Sequence, residues 1–183
     1  MIDAASVAAL VRGFDVPFDQ EALRSRDQVL ALLAAAPEPF SRRYFTPGHV
    51  TATGLVLAPD GQGLLLVHHG RLDRWLPPGG HVEPEDATIA DSARREVIEE
   101  TGASLRLDGA EPLVGIDVHG IPARRSEPYH LHHDLLFLFH ATASDLQVSP
   151  ESRDVAWCRP EEFDRYEVPA NVRRAYARVL STE

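Results

Sequence analysis

Residues 79–103 read GGHVEPEDATIADSARREVIEETGA, a double glycine running into a helical pattern that carries Arg95, Glu96, Glu99 and Glu100. At about 100° per residue, Glu96, Glu99 and Glu100 stand at i, i+3 and i+4 and crowd three carboxylates onto one edge of one turn. Such like-charge neighbours destabilise an isolated helix by roughly 0.2–0.5 kcal/mol per pair, so the pattern calls for a counter-charge. A hard divalent cation with oxygen ligands supplies the most.

The remaining positions agree with a one-sided acidic edge. Ala90, Ala93, Val97 and Thr101 recur on a separate narrow stripe of small or apolar groups that faces a core. Asp86, after Pro84 and Glu85, is the expected N-cap, and Gly102 is placed to end the helix in a left-handed conformation. Arg95 lies four residues before Glu99 and is expected to orient that carboxylate through a forked pair of hydrogen bonds.

The segment resembles the Nudix box, in which Gly, five residues, Glu and seven residues precede Arg-Glu-U-x-Glu-Glu-x-Gly-U, U being aliphatic. Arg95, Glu96, Val97, Glu99, Glu100, Gly102 and Ala103 match the second half position by position. The first half departs from the pattern. With five residues between, Gly80 leads to Asp86, and eight rather than seven residues then precede Arg95; the same spacing from Gly79 gives Glu85, with nine. The resemblance implies hydrolysis of a diphosphate linkage in a nucleoside diphosphate derivative, with Mg2+ or Mn2+ as cofactor. It also implies that the Gly80 carbonyl joins Glu96, Glu99 and Glu100 around the metal. The chemistry agrees, because attack of water on a diphosphate needs charge neutralisation, a stabilised leaving phosphate and an oriented water. Crowding also raises the proton affinity of one carboxylate, which then serves as general base.

The whole chain bounds this reading. At 183 residues with 44% hydrophobic content, it fits one ordinary domain plus an appendage. The net charge of −10 argues against non-specific nucleic-acid binding, so an anionic small molecule must be met by local cations. The longest apolar run, residues 29–36, is too short to span a bilayer, and the first residues lack the positive start of a secretory signal. With Cys158 as the lone cysteine, these features predict a cytoplasmic protein without membrane association.

Two parts emerge along the chain. Residues 3–13 and about 19–36 read as helices, ending before Pro37 and Pro39, and form an N-terminal helical segment over residues 1–47 that packs on the body or supplies a homodimer element. From residue 48 to 183 the texture is β-rich. Strands are expected at 50–58, 64–69, 113–118, 130–141 and 155–158, Arg74-Trp75-Leu76 leads into a glycine loop before the acidic helix, and a last helix starts at Pro169. Strands on both sides of a central helix suggest a mixed sheet covered on two faces, an α/β arrangement. The resemblance implies the Nudix-type α/β/α sandwich for residues 48–183.

Nine histidines are a high count for this length, so they need separate weighing. Alternation puts His130, His132 and Asp134 on one strand face and His133 on the other, without zinc spacing, which favours polar residues lining a pocket or facing solvent. His68 and His69 read as strand-end residues. His81 directly follows Gly80 and stands within reach of the substrate phosphates, and Arg74 is a candidate cation for the same phosphates. Trp75 and Trp157 read as wall residues. Arg124 and Arg125 lie in a loop, Gly120 to Pro128, long enough to carry substrate recognition. Glu151, just before a strand, is a candidate base or extra metal ligand, where Nudix enzymes that do not draw their base from the box often place one; Asp154 is its neighbour in that role.

The reading is a Nudix-type pyrophosphohydrolase with Arg95, Glu96, Glu99, Glu100 and Glu151 at the catalytic centre. Two alternatives use the same fold. A non-catalytic nucleotide-binding regulator is expected to lose the box acids, which this chain keeps. An enzyme like isopentenyl-diphosphate isomerase relies on a cysteine, a role to which Cys158 is poorly matched. Which nucleoside diphosphate derivative is cleaved is not written in the box, since distant loops read that part of the substrate.

Overall fold

A computed structural model describes residues 2–124 and 127–181. Two helices, α1 (Ala4–Gly13) and α2 (Gln20–Ala35), come first, each started by an aspartate side chain that accepts a backbone N–H two or three residues into the turn: Asp3 from Ser6 and Asp19 from Ala22. The strands are β1 (Gly48–Leu57), β2 (Leu64–His69), β3 (Arg74–Leu76), β4 (Gly79–His81), β5 (Leu113–Ile121), β6 (His130–His140) and β7 (Ser152–Cys158). The acidic helix α3 (Ile89–Thr101) follows β4, and α4 (Ala170–Leu180) ends the described chain, with Pro169 at its N-cap.

The strands form one mixed sheet in the order β3-β2-β1-β6-β5, with β4 added to β1 and β7 to β2. Among the described strands only β1 and β6 pair in parallel, from Gly48 opposite Leu131 to Leu57 opposite His140. β1 changes neighbour along its length: Thr51–Thr53 pair with β4, whereas Leu57 pairs with Leu64 of β2. The sheet therefore splits beside β1, and the split carries the glycine-rich strand to α3.

Alternation along β1 distributes the core between two layers. Val50, Ala52 and Val56 join Ala93 and Val97 of α3 and Val29 and Leu32 of α2 in one apolar cluster. Leu55 and Leu57 join Val172, Ala175 and Tyr176 of α4 in the other. The helices on both faces make the α/β/α sandwich. The first cluster also includes Val7 and Val11 of α1, so the N-terminal helices bury their apolar faces against the sheet of the same chain. Asp19, at the start of α2, reaches around the β5 edge to Arg174 at 3.0 Å and Arg178 at 2.8 Å of α4.

Three sequence expectations are corrected. The glycine-rich stretch was read as a loop, but Gly79–His81 pairs with β1 as a strand. Asp86 is not the N-cap of α3; Thr88 is, its hydroxyl accepting the Asp91 N–H at 3.0 Å, because residues 83–86 close a separate turn first. Strands β5 and β7 are longer than expected, so Gly120 lies in β5 and the recognition loop is shorter. Arg125 in that loop lies outside the described residues. Gly102 ends α3 with φ of 62°, as expected for a left-handed cap.

Candidate active site

The stripe on α3 fixes the acidic edge in space. Ala93, Val97 and Thr101 are buried against the sheet, and this rotation turns Glu96 and Glu100 toward β4 while Glu99 stays mostly exposed. Glu100 Oε2 accepts the Gly79 backbone N–H at 3.0 Å. Glu96 lies against Gly80 so closely that a Cβ there would sit 2.6 Å from its Oε1. Glycine is thus a requirement of the approach between strand and carboxylate, not of the backbone conformation.

Burial in this crevice disfavours charge. It raises the pKa of Glu96, although Arg95 opposes it. Glu100 is pushed up to about 7 by burial, against the Gly79 N–H, with the carboxylates of Glu96, Glu151 and Glu99 adding repulsion. An acidic crevice with one carboxylate poised near neutrality fits a hard divalent cation. The donor set is all oxygen, and the cation would relieve the repulsion that the fold leaves in place.

Arg95 is the hub that ties loop to helix. Its Nε and Nη2 donate to the two oxygens of Asp86, each at 3.0 Å. Nη2 also donates to the His81 carbonyl at 2.8 Å, and Nη1 to Glu96 Oε1 at 2.9 Å and Glu99 Oε2 at 3.1 Å. The forked pair expected with Glu99 is therefore made with Asp86, and Glu99 receives a single bond. Asp86 is buried and also accepts the Glu83 N–H at 2.9 Å. Burial opposes its charge, yet the Arg95 fork and the Glu83 N–H hold its carboxyl below the usual range. The hydrogen bonds and charge of Asp86 in turn raise the Arg95 pKa. Asp86, separated from Gly80 by five residues, thus has a definite position despite the altered spacing: it clamps the arginine that holds the glutamates.

The other sequence candidates are less concentrated. Glu151 is exposed; its backbone carbonyl accepts the Gly70 N–H at 3.2 Å, and its charge is felt at Glu96 and Glu100. Asp154 lies on β7 opposite His68. Arg74 is exposed on β3 opposite His69. Trp75 stacks on His68 with ring centroids 5.0 Å apart and meets Tyr166 edge-on, as a wall residue would, while Trp157 Nε1 donates to the Ser144 carbonyl. Arg124 forms an isolated bridge with Glu127. Cys158 is fully buried in the α4 cluster, and burial pushes its thiol up to about 11.

His81 does not point at the glutamates. Its ring lies 5.1 Å from that of His49 and 5.3 Å from that of His132. Burial, together with the neighbouring rings, lowers His81 to about 4 and His132 to about 2, so both are neutral at pH 7. The reading of residues 130–134 as lacking metal spacing holds along the strand, where alternation does separate His132 from His133. Across strands it fails, because His49, His81 and His132 present ring nitrogens all within 4.8 Å of one another. His49 escaped the sequence reading entirely. Only the β1–β6 register, between segments more than eighty residues apart, reveals that it faces His132.

Comparison with known proteins gives the family and the fold. The family model of the NUDIX domain matches residues 47–179. The chain is 33% identical over 99 residues to the nucleoside triphosphatase NudI of Salmonella arizonae, covering 52% of this chain and 68% of that one. NudI of Salmonella typhimurium is 32% identical over 108 residues, 57% and 74% of the two chains. Among solved structures, a NUDIX-family hydrolase from Clostridium perfringens superposes with a TM-score of 0.53 at 20% identity, covering 74% of this chain and 98% of that one. The NUDIX domain of Shewanella oneidensis NrtR, solved with ADP-ribose, gives 0.53 at 17% identity over 81% and 96%. At these identities the solved structures speak for the fold. With the family model spanning most of the chain and the acidic helix, glycine strand and arginine clamp in place, the protein belongs to the Nudix hydrolase family.

Proposed function

We propose that this chain is a divalent-metal-dependent pyrophosphohydrolase that cleaves a diphosphate linkage in a nucleoside phosphate or nucleoside diphosphate derivative. The observation that carries the reading is the seating of Glu96 against Gly80 and of Glu100 on the Gly79 N–H, with Glu99 tied to Glu96 through Arg95. Glu96, Glu99 and Glu100, with the Gly80 carbonyl, would hold Mg2+ or Mn2+. When bound, the cation neutralises the diphosphate and favours departure of the leaving phosphate.

The side chains supply the rest. Arg95 keeps Glu96 and Glu99 in one orientation, which saves reorganisation when charge shifts in the substrate. Glu100, whose carboxylate lies in the same crevice and accepts the Gly79 N–H, and Glu151 are the two candidates to accept a proton from the attacking water. Arg74 on β3 is proposed as a cation for the substrate phosphates. His81, neutral and turned toward His49 and His132, has no part in phosphate binding on this reading. Residues 48–183 carry the activity, and the cytoplasm is its compartment. Among the described residues no helix is long and apolar enough to cross a membrane.

The names of the relatives support a nucleoside polyphosphate as substrate, since NudI is a nucleoside triphosphatase. The cysteine-dependent isomerase alternative loses ground, because a buried thiol with a raised pKa is a poor acid or nucleophile. Screening nucleoside triphosphates, ADP-ribose, dinucleoside polyphosphates and nucleotide sugars with Mg2+ and with Mn2+ tests the reading. Turnover of at least one substrate, abolished by Glu99→Gln and by Glu100→Gln in folded protein, is expected. Near-normal activity in both variants would overturn it.

A further inference from the structure

The sheet face turned away from the acidic helix carries a second group of reactive side chains. On β1 and β6, His49 lies opposite His132; on β5, His119 lies opposite His132; on β4, His81 lies opposite Thr51, two residues from His49. Paired residues share a face, and on β4 the Gly80 position faces Glu96, so His81 points to the opposite side. The rings of His49, His81 and His132 then form a nearly equilateral triangle, with centroids 5.1, 5.0 and 5.3 Å apart. The roles proposed for Glu96, Glu99, Glu100, Arg95 and Glu151 make no use of this arrangement.

Hydrogen bonding sets the protonation of its deepest member. A carbonyl oxygen can only accept, so the 3.1 Å contact between His49 Nδ1 and the Tyr44 carbonyl places the proton on Nδ1 and leaves the Nε2 lone pair for another partner. That Nε2 is buried without any hydrogen bond, on a side chain with no exposed surface. An orphaned buried acceptor needs a reason. A ring whose other nitrogen is fixed by a carbonyl is the usual state of a metal-binding histidine.

We propose that His49, His81 and His132 form a three-imidazole site for a borderline-soft transition cation of the Zn2+ class, separate from the carboxylate site on α3. Imidazole selects Zn2+, Co2+ or Ni2+ over Mg2+, whereas the carboxylates do the reverse. Tetrahedral binding with bonds of about 2.1 Å brings nitrogens to about 3.4 Å from one another, so the rings draw in from their present limit of 4.8 Å by small side-chain rotations. His81 and His132 are only partly buried, which leaves room for that movement and for a further ligand. His130, stacked on His49 at 5.1 Å with its Nδ1 fixed by the Pro128 carbonyl, walls the site. The two sites are joined by backbone: the His81 carbonyl accepts from Arg95, so metal at the histidines restrains the residue that braces the glutamates.

The proposal stands apart from the catalytic reading and is tested by titrating Co2+ into the full chain, stripped of metal and held in excess Mg2+ to occupy the carboxylates. One Co2+ per chain is expected, with the intense visible absorption of a tetrahedral nitrogen-ligated ion. His132→Gln and His81→Gln should each weaken it by more than the about 10–100-fold that follows loss of a mere supporting partner. Glu99→Gln and Glu100→Gln should leave the signal intact. Melting curves establish that the variants fold, and His81→Gln carries the test should His132→Gln not fold. No Mg2+-resistant Co2+ signal, or one lost with the glutamates and kept in the histidine variants, would overturn the site. The same holds if the histidine variants alter only nucleotide binding and not Co2+ binding.

Discussion

Asp86 and Arg95 hold each other through two parallel hydrogen bonds of 3.0 Å, with the carboxylate buried and the guanidinium one-quarter exposed. A fork of this kind is stronger and more directional than a single bond, and here it closes the loop from β4 onto the middle of α3. Removing Asp86 leaves Arg95 facing a crevice with its geometry undone. Asp86→Ala is expected to destabilise the fold by about 2–4 kcal/mol, below the about 3–5 kcal/mol for breaking a fully buried pair because the guanidinium is partly exposed. It should also lower kcat by at least about tenfold, because Glu96 and Glu99 lose the brace that their own bonds to Arg95 depend on. Thermal melts and steady-state kinetics decide this; unchanged values of both would show that the clamp is idle.

Gly80→Ala separates catalytic geometry from stability. The added methyl would fall 2.6 Å from Glu96 Oε1, and that carboxylate, at the end of a flexible side chain, yields more readily than the strand. The melting temperature should change by less than that of Asp86→Ala, while turnover falls by roughly tenfold or more and the requirement for Mg2+ rises. A Gly80→Ala enzyme with normal metal dependence would mean that Glu96 does not need its present position.

Much of this site was legible in the sequence, and the boundary is instructive. The order Arg95, Glu96, Glu99, Glu100 is local, and helix geometry alone puts the three acids on one edge. Gly102 and the buried stripe on α3 are local in the same sense. Asp86 was misassigned because a short acid before a helix has two uses, cap and ion-pair partner, and the choice depends on whether Arg95 folds back onto it. That is a tertiary fact. His49 was invisible for a stronger reason: its neighbours come from β4 and β6, and no spacing within one strand encodes a register between distant ones.

Glu100 makes the metal-free protein sensitive to pH in the alkaline direction. Its folded pKa of about 7 lies above the ordinary glutamate value of 4.5. The unfolded chain therefore releases this proton first, and between these values the folded state binds more protons than the unfolded one. Stability contributed by the protonated form is fully present below about 4.5 and falls as pH rises through 7, by up to about 3 kcal/mol for a shift of this size. Melting curves in chelator from pH 5 to 8 should show this slope superimposed on the titration of other groups. Glu100→Gln should flatten it, and saturating Mg2+ should do the same by stabilising the ionised form. Identical pH profiles for the wild type and Glu100→Gln in chelator would refute the assignment.

Asp19 offers the complementary acid limb, far from the catalytic crevice. It caps α2 by accepting the Ala22 N–H at 3.1 Å, and its other oxygen receives Arg174 and Arg178 of α4. Burial opposes its ionisation, but those hydrogen bonds win and hold the carboxyl below its ordinary value of 3.8. A depressed carboxylate contributes stability that is present above the unfolded pKa and disappears as pH falls through the lower folded one. Asp19→Asn keeps part of the cap and removes the charge; Asp19→Ala removes both. Losses of about 1 kcal/mol for the cap and a comparable or larger amount for the paired charge are expected. The N-terminal helices, whose apolar faces lie on the sheet, should then become the first segment cut by a protease, before any loss of the α3 site. Protease resistance and acid unfolding that match the wild type in Asp19→Ala would show that apolar packing alone holds α1 and α2 in place.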